Sequence, residues 1–185
     1  MLRSFGGLAV CIAVGCVSVL AEHAVTDRAD LQLARDASAT LNRYTQLTIF
    51  DNVEIEVSGG IITLTGDVTM PHKREEIAKR VALVEGVRDV RNRIRVLPAS
   101  TSDDQLRYQI ARAIYDSPHF LQYALGPNPP IRIIVEHGHV TLRGIVHNDT
   151  DRMIARSLAD QFPALSLTNE LKTNAELRDR RAIVR

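Results

Sequence analysis

The 185 residues carry 23 Lys and Arg against 22 Asp and Glu, a formal charge of +1, and that balance argues against a polyanion such as nucleic acid as partner. Apolar residues make up 45% of the chain, too many for a disordered polymer and enough for packed cores. With 4% aromatics and no Trp, stacking platforms for bases or sugars are scarce.

The chain opens on an export signal. Arg3 precedes the apolar run Leu8 to Ala21, and small residues at its exit (Val19, Ala21) allow a cut after Ala21. The run is short for a membrane span, which takes about 20 apolar residues; an uncleaved anchor is the alternative. Both cysteines, Cys11 and Cys16, lie in this segment, so its removal leaves a chain without thiols. Ala13-Val14-Gly15-Cys16 is faintly like a lipoprotein signal, but the apolar run continues past Cys16. Loss of residues 1–21 removes one basic residue, Arg3, and leaves 22 basic and 22 acidic side chains.

Residues 22–97 read as a first small domain. A helix capped by Thr26 or Asp27 runs to about Tyr44. Val53, Ile55 and Val57 alternate with Glu54 and Glu56, the period of a half-buried strand. Gly59-Gly60 suits a tight hairpin turn, and Ile62, Leu64, Gly66 and Val68 share one face of the next strand. Gly66 on that face is expected to let a helix approach the sheet. Pro71 opens a second helix with Ile77, Val81 and Val84 inward, Gly86 closes it, and Val87–Val96 is a final strand.

After a linker at 98–102, residues 103–173 repeat the pattern. Ser102 with Gln105 forms a capping box for a helix running to about Asp116. The strands from Ile131 through the Gly138 turn to Gly144 and Val146 align with Val53–Val68 without a gap, at an offset of 78. A helix over Asp149–Gln161 carries Ile154 and Leu158 inward, and a last strand near Leu165–Leu171 aligns at an offset of 77, pairing Asn92 with Asn169. Residues 174–185 read as a loose basic tail. The expected fold is α+β: two tandem α-β-β-α-β domains, each a three-stranded sheet with two helices on one face.

The hairpin strand Gly60–Val68, the helix after Pro71 and the run Gly86-Val-x-x-Val-x-Asn92-x-Ile-x-Val96 resemble the BON domain (bacterial OsmY and nodulation). The likeness recurs in Gly138–Val146 and Leu167-Thr-Asn169-Glu-Leu171. The second copy departs at Pro163 and Ala164 and in the proline-rich Phe120–Pro130. The resemblance implies a protein outside the cytoplasm, in the periplasm or cell envelope. It implies a module that attaches to phospholipid membranes or envelope components, as in osmotic-stress proteins, secretin-type pores and channels. The family has no shared catalytic motif, so no catalytic residue carries over.

The residues themselves point the same way. No nucleophile elbow or Gly-rich phosphate loop is present, and Ser117-Pro-His119 has no visible carboxylate partner. Asp149 and Asp151 are explained as partners of a helix dipole. No enzyme and no cofactor are expected. His137 and His139 flank Gly138, but two imidazoles are too few for a zinc site and His147 lies at the far end of the strand, so no metal is expected.

Two surfaces are candidates for a partner. Arg91, Arg93 and Arg95 are expected on one exposed sheet face, either meeting anionic lipid headgroups or paired across strands with Glu54 and Glu56. Phe120 and Tyr123 sit in an apolar segment that either contacts a membrane or partner, or plugs a gap within or between the domains. The leading reading is an exported binding protein for anionic phospholipid membrane. The alternatives are a periplasmic protein-interaction or chaperone-like module under envelope or osmotic stress, and a hydrolase whose site would have to assemble from distant residues. Oligomeric state is open, since the edges of such small sheets can pair between chains.

Overall fold

The computed structural model describes the backbone of residues 16–126 and 128–183, and side chains within 28–178. Most of the export signal, residues 1–15, lies outside the described residues. The chain forms two α+β domains. In the first, helix α1 (Cys16–Asn42) is followed by β1 (Asn52–Ser58), β2 (Ile61–Val68), α2 (Pro71–Ala82), β3 (Asp89–Asn92) and β4 (Arg95–Val96). In the second, α3 (Thr101–Tyr115), a 3-10 turn (Pro118–Phe120) and the short α4 (Leu121–Ala124) precede β5 (Ile131–Glu136), β6 (His139–Val146), α5 (Asp149–Ala159), β7 (Ser166–Thr173) and α6 (Asn174–Ile183).

Each sheet has the same topology. The first two strands form an antiparallel hairpin, and the chain after the second helix returns parallel to the hairpin's second strand, which is therefore central. Strand alternation sends Ile62, Leu64 and Val68 inward against Leu33 and Ala37 of α1 and Ile77 and Val81 of α2. Ile62 and Leu64 are fully buried, each contributing about 1.5–3 kcal/mol. The second core is built alike from Ile110, Ile114, Ile131, Ile133, Val135, Val140, Leu142, Val146 and Ala155.

Several local expectations are corrected. The first helix does not begin at Thr26 or Asp27; α1 runs unbroken from Cys16, through the expected cut site at Ala21. The cap of α3 is Ser100, not Ser102: its hydroxyl accepts from the Asp103 amide at 3.2 Å. The last strand of the first domain is interrupted at Arg93-Ile94, where the Asn92 side chain accepts the Ile94 amide (3.2 Å) and donates to the Arg74 carbonyl (2.9 Å). Asn169 makes the same two contacts, to the Leu171 amide and the Arg152 carbonyl, within an unbroken β7. Within the expected loose tail, Asn174–Ile183 form helix α6. It opens on a reciprocal capping box in which Glu176 accepts the Thr173 amide (2.8 Å) and Thr173 Oγ1 accepts the Glu176 amide (3.3 Å).

Gly66 serves a different neighbour from the one expected. Its φ is +111°, and a Cβ there would stand 2.1 Å from the Asn52 carbonyl oxygen of β1. The close approach is strand to strand, not helix to sheet. Gly144, at φ +120°, repeats it against the Pro130 carbonyl at 1.8 Å.

The domains dock through the loop ahead of β1. Ile49 and Phe50 pack against the second domain's core, and Phe50 meets Tyr108 edge-on with ring centroids 5.1 Å apart. The Ile133 amide on the outer edge of β5 donates to the Ile49 carbonyl at 2.8 Å, and Arg132 donates to Thr48 O at 2.9 Å.

Candidate ligand-contact surface

The outward face of the first sheet is ordered in rows. Glu56, Thr63 and Arg91 lie across β1, β2 and β3; Asn52, Asp67 and Arg95 lie across β1, β2 and β4. Between them Glu54 stands opposite Thr65, and Arg93, whose amide bonds Leu64 O at 2.8 Å, follows beside it. The central strand therefore separates the arginines from Glu54 and Glu56 by two strand spacings, about 10 Å. The expected cross-strand pairs do not form.

Arg95 finds other partners. Its guanidinium lies 2.6 Å from Asp67 and 3.3 Å from Glu136 of the second domain. The Asp67 carboxylate raises the Arg95 pKa above its ordinary value; burial opposes this and Glu136 adds to it. Arg143 of β6 reaches Glu170 at 2.7 Å and Asp67 at 3.7 Å, so the buried Asp67 lies under two arginines from different domains. A cleft of about 190 Å³ opens here, lined by Asp67, Arg95, Glu136, His137, His139 and Arg143 among others. Arg91 and Arg93 are exposed and, among the described residues, have no ion-pair partner.

His137 owes its place to the backbone. It adopts φ 51° in the hairpin turn, and Asp103 of α3 accepts the amides of His137 (2.8 Å) and Gly138 (2.9 Å). Asp30 of α1 holds the Gly59 and Gly60 amides in the same way, at 2.6 and 2.9 Å. Sequence reading missed both clamps, because each links a helix to a turn some 30 residues on. His139 bonds Ser166 Oγ at 2.7 Å. Among the described residues no group of three His, Cys, Asp or Glu side chains is placed to hold a metal ion.

Phe120 and Tyr123 are not a surface. They are 0% and 5% exposed within the second core, while their neighbours Leu121 and Leu125 point outward. His119, expected to lack a carboxylate, meets Asp151 at 2.8 Å. The buried Asp151 also accepts the Tyr123 hydroxyl, and His147 stands 4.0 Å away. Burial pushes the Asp151 carboxyl up, but Tyr123, His119 and His147 outweigh it and hold the group below the usual range. Burial, then the Asp151 contact, pushes the Tyr123 phenol up to about 12. The cluster ties the segment ahead of β5 to the start of α5.

Among the described residues no helix is long and apolar enough to cross a membrane. No curated protein matches the chain. A solved structure of CdsD, a structural protein of the type III secretion system of Chlamydia trachomatis, is 13% identical over 81% of this chain and 97% of that one, with a TM-score of 0.28. A structure of the C-terminal domain of CdsD is 11% identical over 75% of this chain and 96% of that one, with a TM-score of 0.27. Neither likeness bears on the fold at those scores. The family model for the BON domain matches residues 29–98 and again 102–175. With the same hairpin, helix and parallel strand built twice, the chain belongs to the BON domain family as a tandem pair.

Proposed function

We propose that this is an exported, non-enzymatic binding module of the bacterial envelope that contacts anionic phospholipid headgroups through Arg91 and Arg93. One observation carries the reading: two exposed guanidiniums stand on an open sheet face with no carboxylate partner among the described residues. Arginine suits phosphate because its planar fork donates two parallel hydrogen bonds. Near an anionic bilayer each such residue contributes about 1 kcal/mol. The signal-like residues 1–21 support an extracytoplasmic location. Arg95 has a lesser part here, since Asp67 and Glu136 already engage it.

Among the described residues both cores begin at Leu33 or later, and the chain from Glu22 to Arg185 keeps those core residues. Co-sedimentation of that chain with anionic and zwitterionic vesicles, at low and high salt, tests the reading. Salt-sensitive binding to anionic vesicles alone, weakened about tenfold or more by R91E/R93E, is expected. Absence of binding to either vesicle would overturn it. The reading would then pass to an envelope protein partner, for which the exposed Leu121 and Leu125 offer an apolar contact.

A further inference from the structure

The outward face of the first sheet separates its charges by edge. Glu54 and Glu56 stand on β1, Arg91 and Arg93 on β3 or its continuation, and neutral Thr63 and Thr65 lie between. All four charged side chains are exposed, and none has an ion-pair partner among the described residues. The second domain lacks this segregation: outward positions on β5 are Arg132, Ile134 and Glu136, and those on β7 include Glu170 and Lys172. Its β5 edge is also in use, since the Ile133 amide bonds Ile49. Among the described residues the β1 edge is the open one. Its inward Val53, Ile55 and Val57 stay half-buried, whereas Ile131, Ile133 and Val135 at the matching places are all 0% exposed.

From this complementarity we infer that the first domain pairs edge to edge with a second copy of this chain, β1 of one copy lying against β3 of the next. The strand directions allow it. β1 runs antiparallel to β2 and β3 runs parallel to it, so a neighbour's β1 continues the sheet antiparallel to β3. The rows then carry on across the boundary, Arg91 meeting Glu56 and Arg93 meeting Glu54 of the neighbour. The Val90 amide already bonds Asp89 Oδ1 at 2.9 Å, so the contact is made by side chains rather than by a continued backbone ladder. Such a contact is small, weak and screened by salt. It is also head-to-tail, which lets it repeat beyond two copies. Headgroups and the neighbour's glutamates compete for the same guanidiniums.

Sedimentation velocity of the chain from Glu22 to Arg185, over a concentration series at low salt, tests the inference. The wild-type sedimentation coefficient is expected to rise with concentration and to fall to the monomer value at high salt. E54K/E56K and R91E/R93E are each expected to stay monomeric, and an equimolar mixture of the two to associate again, because each then supplies the edge that the other lacks. The substituted side chains are exposed, and circular dichroism of each variant checks that the fold is kept. A wild-type chain monomeric throughout, or an E54K/E56K variant that associates like wild type, would overturn the inference. The vesicle reading is separable: E54K/E56K abolishes association yet retains or strengthens binding to anionic vesicles, whereas R91E/R93E loses both.

Discussion

Lys73 and Asp151 occupy the same place in the two domains, the third residue of α2 and of α5, and carry opposite charges. Lys73 reaches Asp51, in the segment ahead of β1, at 2.7 Å. Asp151 takes the Tyr123 hydroxyl and His119 from the segment ahead of β5. Each domain thus ties the chain entering its first strand to the start of its second helix. The duplication has kept the tie and exchanged the sign of the charge.

The Lys73–Asp51 pair is buried, so breaking it leaves a carboxylate in the core. Lys73→Met is expected to cost about 3–5 kcal/mol, read as a fall in the urea midpoint by circular dichroism. Adding Asp51→Leu should not restore stability in full, because the Thr48 and Thr69 amides (2.8 and 2.7 Å) lose their acceptor. A loss below about 1 kcal/mol for Lys73→Met would mean that the pair is solvated rather than a buried tie.

The same carboxylates set an acid limit. Burial pushes the Asp51 group up, but the Lys73 ammonium and the Thr69 and Thr48 donors win and hold it below its usual value; Asp151 is held low in its own domain. A depressed carboxyl contributes stability that is complete above the unfolded value, about 3.9, and is lost as pH falls through the folded one. Urea midpoints should therefore be flat toward neutral pH and drop below about pH 4. Asp151→Asn should flatten the second domain's share of that drop. An unchanged slope in the variant would refute this assignment.

Gly66 and Gly144 are predicted to tolerate no side chain. Alanine at either adds backbone strain, of order 1–3 kcal/mol, and drives a Cβ into a carbonyl oxygen of the neighbouring strand. Gly59, at φ +59° with nothing within 4 Å of a built Cβ, carries the strain alone. Thermal unfolding should rank Gly66→Ala and Gly144→Ala as clearly more damaging than Gly59→Ala. Equal losses at the three positions would show that close strand approach adds nothing.

These contrasts mark where sequence was informative. Strand alternation around Ile62 and Leu64, the helical spacing of Ile77 and Val81 and the Gly59-Gly60 turn are local, so period and composition located them. Which strand lies in the middle is not local. That is why Glu54 and Glu56 read as partners of the arginines although β2 stands between them. The carboxylates of Asp30 and Asp103 give no sign in sequence of the distant turns they hold, and the burial of Phe120 and Tyr123 depends on an insertion folding back onto Asp151. Helix α6 is the opposite case. Thr173 and Glu176 form a legible capping box, passed over because the basic run after it reads as tail.

The docking of the two domains sets apolar contact against charge, and magnitudes decide between them. Arg95 and Glu136 are 61% and 33% exposed at 3.3 Å; a double-mutant cycle on such a pair is expected to give under about 1 kcal/mol. Phe50, partly buried, packs against the second core and Tyr108, and its truncation removes a large part of the apolar burial that is worth about 1.5–3 kcal/mol for a fully buried side chain. Phe50→Ala should therefore loosen the docking more than Glu136→Gln does. The Ile133 amide, bonded across the boundary to Ile49, reports the difference by hydrogen exchange. Its protection should fall sharply in Phe50→Ala, change little in Glu136→Gln and be almost indifferent to salt. The reverse ranking, or protection that collapses in high salt, would make the ion pairs around Asp67 the true hold between the domains.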